Sequence, residues 1–413
     1  MPRTIARFAA AALLVPLAFA PARAARAQAV PDRLDDRAFW GLVSGMSEPG
    51  GFFRSDNFVS NETSYQYVIP DLQHAFAPGA GAYVGVGPDQ NFSYIVALRP
   101  RIAFVVDIRR QNMLQHLLYK ALIETSDDRA AFLARLFSRP RPAGLAPEAT
   151  VDTLLAAFAR AEPDSQMFRR TLAQVTEHLV ARHGFPLDTA DLRGIEYVLG
   201  AFHQAGPDLT YSFGAGTAWQ TPWRRRTDSV AATVVGRDTA GAVITFRPYP
   251  GFRGMPTFAQ IASESDAQRT QRNYLASEAN YRVLRDLQRR NLIVPLVGDF
   301  AGPKALRAVG AWLRERHTPV TAFYTSNVEQ YLFRQGDDWA KFFDNAAELP
   351  TAPESVFIRA VFSFLAAARP EPRAGPGVHH RPLPARRDGA RRARAAGDDV
   401  PGRDRDVEGI ARR

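Results

Sequence analysis

The first residues that could do chemistry are two glycines followed at a fixed distance by an acidic side chain. An apolar run ends in Gly85-Val86-Gly87, and Asp107 closes the next apolar run, 22 positions after Gly85. A glycine between a strand and a helix lets a ligand approach the backbone closely. An acidic residue about 20 positions further on is placed to hold ribose hydroxyls. The spacing indicates a nucleoside ligand. The structural alternative is a tight strand-to-helix turn with an ordinary helix cap.

Asp89 and Asn91 follow the glycines, in the predicted first turn of the next helix. The negative charge of Asp89 suits the positive end of a helix dipole. The same charge repels a pyrophosphate, so a ligand without phosphates is favoured over NAD or FAD. We therefore place both residues among the candidate cofactor-binding residues.

Polar residues also follow two later apolar runs. Asp299 comes after a glycine at the end of one run, and Tyr324, Ser326, Asn327 and Glu329 lie at and after the end of another. Because ligands of open α/β sheets bind at the carboxyl ends of the strands, we predict that Asp299 lies beside a cofactor and the other four line a substrate. Simpler roles stay open: a turn for Asp299, and a helix N-cap for Ser326 or Asn327.

A polar, amide-rich stretch at residues 57–64 precedes the first apolar run. Such a stretch either folds over a ligand site or forms a surface loop with a helix cap. The sequence favours the surface loop.

A mostly parallel sheet is needed to bring these residues together, and the sequence predicts one. Compact apolar runs bounded by Gly, Pro or Asp are typical of buried parallel strands. They occupy Ala82–Val86, Ile102–Val106, Leu292–Val297, Val320–Tyr324 and Ser355–Phe362. Segments with apolar residues at helical spacing accompany them, at Phe92–Leu98, Met113–Glu124, Thr270–Arg290 and Pro303–Arg316. The predicted fold is α/β, a Rossmann-like sheet flanked by helices.

The chain divides into five predicted segments. A lead-in, residues 32–82, and the first half of the Rossmann-like domain together take residues 30–125, and its second half takes 251–369. A mainly helical insertion with one β-hairpin lies between them, at 126–250. The tail, 370–413, is rich in Arg, Ala, Gly, Pro and Asp. It is either disordered or the frameshifted reading of a GC-rich gene.

Residues 1–29 have the pattern of a secretory signal peptide. Arg3 and Arg7 precede an apolar run, Phe8–Ala20, and small residues follow it. The run is too short to span a bilayer comfortably, although an N-terminal membrane anchor is the alternative. We expect an exported, periplasmic protein that has no membrane segment after signal cleavage.

Composition excludes several classes of function. The chain has no cysteine, which rules out disulfides, thiolate metal sites and a cysteine nucleophile. Its net charge of +10 is concentrated at the two ends: four Arg lie in residues 1–29, and the tail holds eleven Arg against seven acidic residues. The middle is nearly neutral, so no nucleic-acid partner is expected. The histidines show no HExxH pair, and we predict no metal.

The glycine turn and the later acidic residues resemble the class I S-adenosylmethionine-dependent methyltransferase superfamily, over residues 60–125 and 270–362. The resemblance implies that Gly85 and Gly87 form the cofactor turn, Asp107 binds the ribose, and Asp299 stands on the adenine side. The chain departs from the pattern where Asp89 replaces the third glycine. The acidic residue usual before the turn is also absent. The segments 84–92, 297–303 and 323–331 resemble a group of bacterial exported proteins that has no established activity.

The resemblance implies a methyltransferase-like protein that binds S-adenosylmethionine or a related nucleoside as a small-molecule ligand. An exported enzyme would lack a supply of a cofactor made in the cytoplasm. The second hypothesis is therefore a non-catalytic periplasmic binding or structural module that keeps the Rossmann-like fold.

Overall fold

A computed structural model describes residues 29–53, 55–211, 234–237, 243–246, 255–361 and 377–382. The predicted signal peptide lies outside the described residues except for Ala29, as does most of the tail. No helix of the described residues is long and apolar enough to cross a membrane.

The central sheet has five parallel strands and one antiparallel edge strand. The parallel strands are β1 (Ala82–Gly85), β2 (Ile102–Asp107), β5 (Ile293–Val297), β6 (Val320–Ser326) and β7 (Thr351–Val361). The edge strand is β8 (Gly377–Pro382), and the order across the sheet is β5-β2-β1-β6-β7-β8. The chain moves outward from β1 through β2 to β5 and then returns to place β6 on the other side of β1. This topology confirms the predicted Rossmann-like α/β class and puts a topological switch point between β1 and β6.

The apolar composition of these strands agrees with their burial. Every described residue of β1, β2 and β5 is buried. Strands that are apolar on both faces are stable only when helices cover both sides of the sheet. Val84 lies opposite Phe104 in β2 and Phe323 in β6, and the β1–β6 pairing shifts register between Ala82 and Tyr83. The predicted strands therefore form one continuous hydrophobic core.

The helices cover the sheet and build the insertion. Those of the Rossmann-like part are α1 (Asp36–Met46), α2 (Ile69–Ala75), α3 (Gln90–Leu98), α4 (Arg110–Glu124), α10 (Glu278–Arg289), α11 (Ala305–Glu315), α12 (Val328–Leu332) and α13 (Asp338–Ala347). Those of the insertion are α5 (Arg129–Phe137), α6 (Val151–Arg160), α7 (Ser165–Thr176) and α8 (Thr189–Ala205). Helix α9 (Phe258–Ser263) follows the insertion in sequence and packs on α6. Helix α4 packs on β2 and β5 on one side and on α8 on the other, so it joins the sheet to the insertion.

One predicted helix begins later than its periodicity indicates. The segment expected to be helical from Thr270 starts only at Glu278, because the Ser277 side chain accepts the backbone N–H of Asn280 and caps the helix there. Upstream, the Asp266 carboxylate accepts the N–H of Thr270 at 2.8 Å and stabilises a loop instead.

Two short strand pairs complete the described structure. Strands β3 (Val234–Arg237) and β4 (Val243–Phe246) pair antiparallel, in the region where the sequence predicts a hairpin. Strand β8 lies in the tail and pairs antiparallel with β7. An edge strand offers unpaired backbone groups, and these six residues of the tail pair with those of β7.

Arg129 joins the insertion to the sheet domain through a buried guanidinium. Its side chain is 2% exposed and its Nε lies 2.8 Å from Glu278 Oε1. Its Nη1 donates to Leu275 O at 2.7 Å, and its Nη2 donates to Pro147 O at 2.6 Å. One arginine therefore ties α5 to the start of α10 and to the loop before α6.

We expect Arg129→Leu to lower the free energy of unfolding by about 3–5 kcal/mol, because it leaves a carboxylate and several carbonyls without their donor. Arg160→Leu, on the exposed end of α6, is the control and should change stability by about 0.5 kcal/mol or less. Urea unfolding followed by circular dichroism measures both. Equal effects of the two substitutions would contradict the role given to Arg129.

Candidate functional site

The parallel strands bring most of the predicted residues to one edge of the sheet. Strands β1, β2, β5 and β6 end at Gly85, Asp107, Val297 and Ser326. The carboxyl ends of parallel strands share an edge, so the glycine turn, Asp107, Asp299 and Ser326 lie along it. The carbonyl of Asp107 accepts the N–H of Gly298 at 2.9 Å, which places the two acidic positions side by side. We call this the carboxyl edge.

The glycine turn needs its glycines for two different reasons. Gly87 has φ +80°, in the left-handed region, and a Cβ there would meet only Asn57 Nδ2, at 3.7 Å. Gly85 has an ordinary backbone, but a Cβ there would collide with the side chains of Asn91 and Tyr83. Gly87 therefore gives the turn its shape, and Gly85 leaves room for packing beneath it.

The Asn91 side chain stabilises this turn through hydrogen bonds to its backbone carbonyls. Its Nδ2 donates to Val86 O at 2.9 Å and to Pro88 O at 2.7 Å, with a longer contact to Gly87 O. Its Oδ1 accepts from the Tyr83 hydroxyl at 2.8 Å. Predicted as a cofactor-binding residue, Asn91 has both side-chain polar atoms engaged by the protein, and its role is to fix the turn.

Asp89 is also engaged by the protein. Its carboxylate is buried and accepts the Tyr274 hydroxyl at 2.8 Å, and it makes no side-chain cap on α3. Burial raises the pKa of Asp89 to about 6. The hydrogen bond from Tyr274 lowers this pKa and offsets only part of the effect of burial. The Asp89 carboxylate, expected to interact with the N-terminus of α3, therefore binds Tyr274 in the segment before α10 instead.

Asp107 is paired with an arginine that sequence reasoning missed. Arg109 Nε and Nη2 lie 3.0 and 2.9 Å from the two carboxylate oxygens, and the Arg109 backbone N–H also binds Oδ1 at 2.9 Å. The remaining guanidinium nitrogen, Nη1, donates to the carbonyls of Ser55 and Asp56. Arg109 thus links the predicted ribose-binding carboxylate to the lead-in.

The lead-in covers the carboxyl edge instead of forming a surface loop, so that interpretation was wrong. Ser55, Asp56, Phe58 and Glu62 are all buried. Polar side chains of the domain anchor the segment: Gln115 Nε2 donates to Phe58 O at 2.7 Å, and the Tyr197 hydroxyl donates to Asp56 Oδ2 at 2.8 Å. Polar residues are readily buried where each backbone and side-chain group finds a partner.

Glu62 is the main functional candidate that sequence reasoning missed. Its carboxylate accepts Gln90 Nε2 at 2.8 Å, the Tyr324 hydroxyl at 2.9 Å and the Ser326 hydroxyl. No Lys or Arg of the described residues pairs with it. Burial raises the pKa of Glu62, while these three hydrogen bonds act in the opposite direction. A buried carboxylate without a cation is costly, which marks the position as special. A glutamate in a polar loop gives no sequence signal of such burial.

The structure separates the predicted substrate-lining residues into two groups. Tyr324 and Ser326 join Glu62, and Ser326 has φ +52°, an unusual conformation for a non-glycine residue. Asn327 stands at the N-cap position of α12, but its side chain does not cap the helix. Glu329 instead pairs with Arg359 of β7, at 2.8 Å.

Asp299 takes the turn role that the sequence left open. Its Oδ1 accepts the Ala301 N–H at 2.9 Å, and burial raises its pKa. Glu48 of the lead-in lies against the same turn, accepting the N–H groups of Lys304 and Ala305 at the start of α11, at 2.8 and 2.7 Å. The lead-in therefore also covers this end of the edge.

Four buried polar atoms of α3 and α4 have no partner among the described residues: Gln90 Oε1, His116 Nδ1 and both amide atoms of Asn112. His116 Nε2 contacts Gly87 O at 2.9 Å, and burial lowers the pKa of His116 to about 4, so its ring is neutral. Asn112 lies one turn earlier on the same face of α4. These unpartnered atoms of α3 and α4 could therefore bind a polar ligand or water.

Comparison with known proteins assigns the chain to a family. Residues 57–183 and 256–378, together more than half of the chain, match the domain of unknown function DUF7790. The chain belongs to the DUF7790 family. No curated protein matches it.

The DUF7790 match includes the polar groups of the carboxyl edge from Asn57 onward. Both sides of the switch point lie within it, Glu62 and Asp107 in the first matched range and Asp299 and Ser326 in the second. The unmatched residues between the ranges, 184–255, contain α8 and the hairpin of the insertion. Most of the candidate site therefore lies within the part of the chain that matches DUF7790.

The raised pKa of Asp89 predicts a pH-dependent stability. The folded protein binds the proton more tightly than the unfolded chain, whose pKa is near 3.8, so this contribution is fully present below pH 3.8 and is lost as pH rises to about 6. Relative to Asp89→Asn, wild-type stability should fall by up to about 3 kcal/mol between pH 4 and pH 7. Urea unfolding across this range measures the gap. The exposed Asp344→Asn is the control, and a gap for Asp89→Asn that does not change with pH would contradict the burial of Asp89.

Proposed function

We propose that the carboxyl edge of the DUF7790 domain binds S-adenosylmethionine or a related nucleoside and that the domain is methyltransferase-like. The observation that carries the proposal is the switch point between β1 and β6, where the Gly87 turn lies beside a carboxylate at the end of the adjacent strand, β2. Open α/β sheets bind nucleosides in the crevice at such a point.

The residues at this edge fit a nucleoside in their chemistry. Gly87 offers backbone without a side chain, Asp107 offers carboxylate oxygens to ribose hydroxyls, and Asp299 stands on the predicted adenine side. His116, which contacts Gly87 O, and Asn112, one turn earlier on α4, have unpartnered polar atoms. Bound S-adenosylmethionine would supply an electrophilic methyl group on a sulfonium.

Arg109 limits how Asp107 can take part. The guanidinium occupies both carboxylate oxygens, and the backbone N–H of Arg109 takes a second position on Oδ1. A ribose diol that binds both oxygens must displace the guanidinium. Displacement would also release its bonds to Ser55 and Asp56 in the lead-in. Nucleoside binding and movement of the lead-in are therefore coupled in this proposal.

Glu62 is the group best placed to hold a proton during a reaction. It lies with Tyr324 and Ser326 at the end of β6, on the other side of the switch point from Asp107. Its raised pKa brings a carboxylate closer to the range useful for a general base. We assign it the role of accepting a proton from a methyl-accepting substrate, a reaction that otherwise depends on positioning.

The alternative proposal is a non-catalytic module that keeps the Rossmann-like fold. The observation that favours it is that the site is occupied by the protein's own contacts. Gly87 is buried, and Asp89, Asn91 and Asp107 all have partners within the protein. The predicted export of the chain favours it as well, because a periplasmic enzyme would lack a supply of the cofactor.

Calorimetric titration of the full chain with S-adenosylmethionine and S-adenosylhomocysteine distinguishes the two proposals. We expect one site with a Kd on the order of 10 µM. Asp107→Asn should weaken binding about 10- to 100-fold, because it removes a charged acceptor of ribose hydroxyls. The matched control is Asp127→Asn, whose side chain is fully exposed and should leave affinity unchanged.

Circular dichroism must show that each variant is folded, since Asp107→Asn leaves Arg109 without its counter-charge. Absence of binding by folded wild-type protein would remove the methyltransferase-like proposal and leave the non-catalytic module. Equal affinities of wild type and Asp107→Asn would place the nucleoside elsewhere.

A further inference from the structure

Three potential metal ligands lie together at the C-terminal end of α4. His178 Nε2 and His183 Nε2 lie 2.7 and 2.8 Å from the same oxygen, Oε2 of Glu124, and 3.2 Å from each other. The Glu124 side chain is 5% exposed, and the two imidazoles are 16% and 13% exposed. The cluster is therefore mostly buried but keeps a route to solvent.

A π-helical turn, Glu177–Arg182, brings the two histidines together. In an α-helix, residues five positions apart point about 140° away from each other, because each residue turns the helix by about 100°. A π-helical turn pairs residue i with residue i+5. Such turns are rare and occur frequently at functional sites. This one places the imidazoles of His178 and His183 edge to face, with ring centroids 4.7 Å apart.

Neighbouring side chains hold the ligand atoms in position. Asp36 Oδ1 lies 2.7 Å from His183 Nδ1, which leaves Nε2 as the free ligand atom of that ring. Lys120 Nζ lies 2.5 Å from Glu124 Oε1, which leaves Oε2 for the cluster. A carboxylate behind a histidine is the usual second partner of a metal-binding imidazole.

The two imidazole Nε2 atoms are crowded when each of them carries a hydrogen. Each contact to Glu124 Oε2 requires a hydrogen on an imidazole Nε2, so two donors 3.2 Å apart converge on one oxygen. A metal ion between the three atoms removes this conflict, because it uses their lone pairs. Donor atoms in a tetrahedral zinc site are separated by roughly 3.3 Å, so the observed distances need to widen only by about 0.1–0.6 Å.

We propose that Glu124, His178 and His183 bind a divalent transition-metal ion of the zinc type, with water in the fourth position. Two imidazoles and one carboxylate are a ligand set that zinc prefers. The three ligands lie within the first range that matches DUF7790. The sequence predicts no metal because His178 and His183 fit no α-helical ligand spacing, and only the π-helical turn makes them neighbours.

The proposed ion would stabilise the domain, and this proposal does not depend on nucleoside binding. Glu124 lies 12 residues after Asn112 on α4, about 18 Å away along the helix axis, so the cluster is remote from the glycine turn. The histidines belong to the insertion, Glu124 to the sheet domain and Asp36 to α1. One ion would therefore join the insertion to the sheet domain, and Asp36 would attach α1 to it through His183.

The test is zinc binding by the full chain after removal of metals with EDTA, measured against a fluorescent chelator and by elemental analysis. We expect one zinc per chain and a higher unfolding temperature with zinc. His178→Ala and His183→Ala should each weaken binding by at least about 100-fold, and Asp36→Asn by about 10- to 100-fold. The exposed His74→Ala is the matched control and should bind as wild type does.

Cobalt substitution gives a readout that does not depend on the variants folding. Cobalt bound in a tetrahedral site of wild-type protein should give intense visible absorption that zinc displaces. Wild-type protein that takes up well below one zinc per chain would overturn the proposal. So would cobalt without tetrahedral absorption, or zinc affinity that folded His178→Ala and His183→Ala retain.

Discussion

The ion pair between Arg109 and Asp107 is the interaction on which the carboxyl edge depends. A buried charge is tolerated only with a partner, and Arg109 supplies one to Asp107 while also donating to two carbonyls of the lead-in. The lead-in in turn brings Glu62 to the end of β6 and Glu48 to the start of α11. One guanidinium therefore couples the predicted ribose position to the segment that covers the whole edge.

The two sides of the switch point differ in how their charge is balanced. On the β2 side, the negative charge of Asp107 is neutralised within the protein. On the β6 side, Glu62 is held by neutral donors alone, which leaves a carboxylate with a raised pKa beside two hydroxyl groups. This asymmetry suits a site with a binding half and a proton-accepting half. It is the physical basis on which the methyltransferase-like proposal assigns different roles to Asp107 and Glu62.

Much of the fold could be predicted because the strands are compact, apolar and bounded by breakers, so β1, β2 and β5 lie within two residues of their predicted ends. The glycine turn and Asp107 were also placed at the correct edge. The burial of the lead-in could not be predicted, because the groups that hold it are distant in sequence: Arg109 binds the carbonyls of Ser55 and Asp56, and Gln90 and Tyr324 bind Glu62. The π-helical turn was equally hidden, since no local pattern distinguishes it from an α-helix.

The most direct test of the account is a crystal structure of the full chain grown with saturating S-adenosylhomocysteine. The account predicts the nucleoside along the Gly87 turn, with its ribose hydroxyls on Asp107, the Arg109 guanidinium displaced and the lead-in moved at Ser55 and Asp56. An intact Asp107–Arg109 pair with no nucleoside at this edge would contradict it.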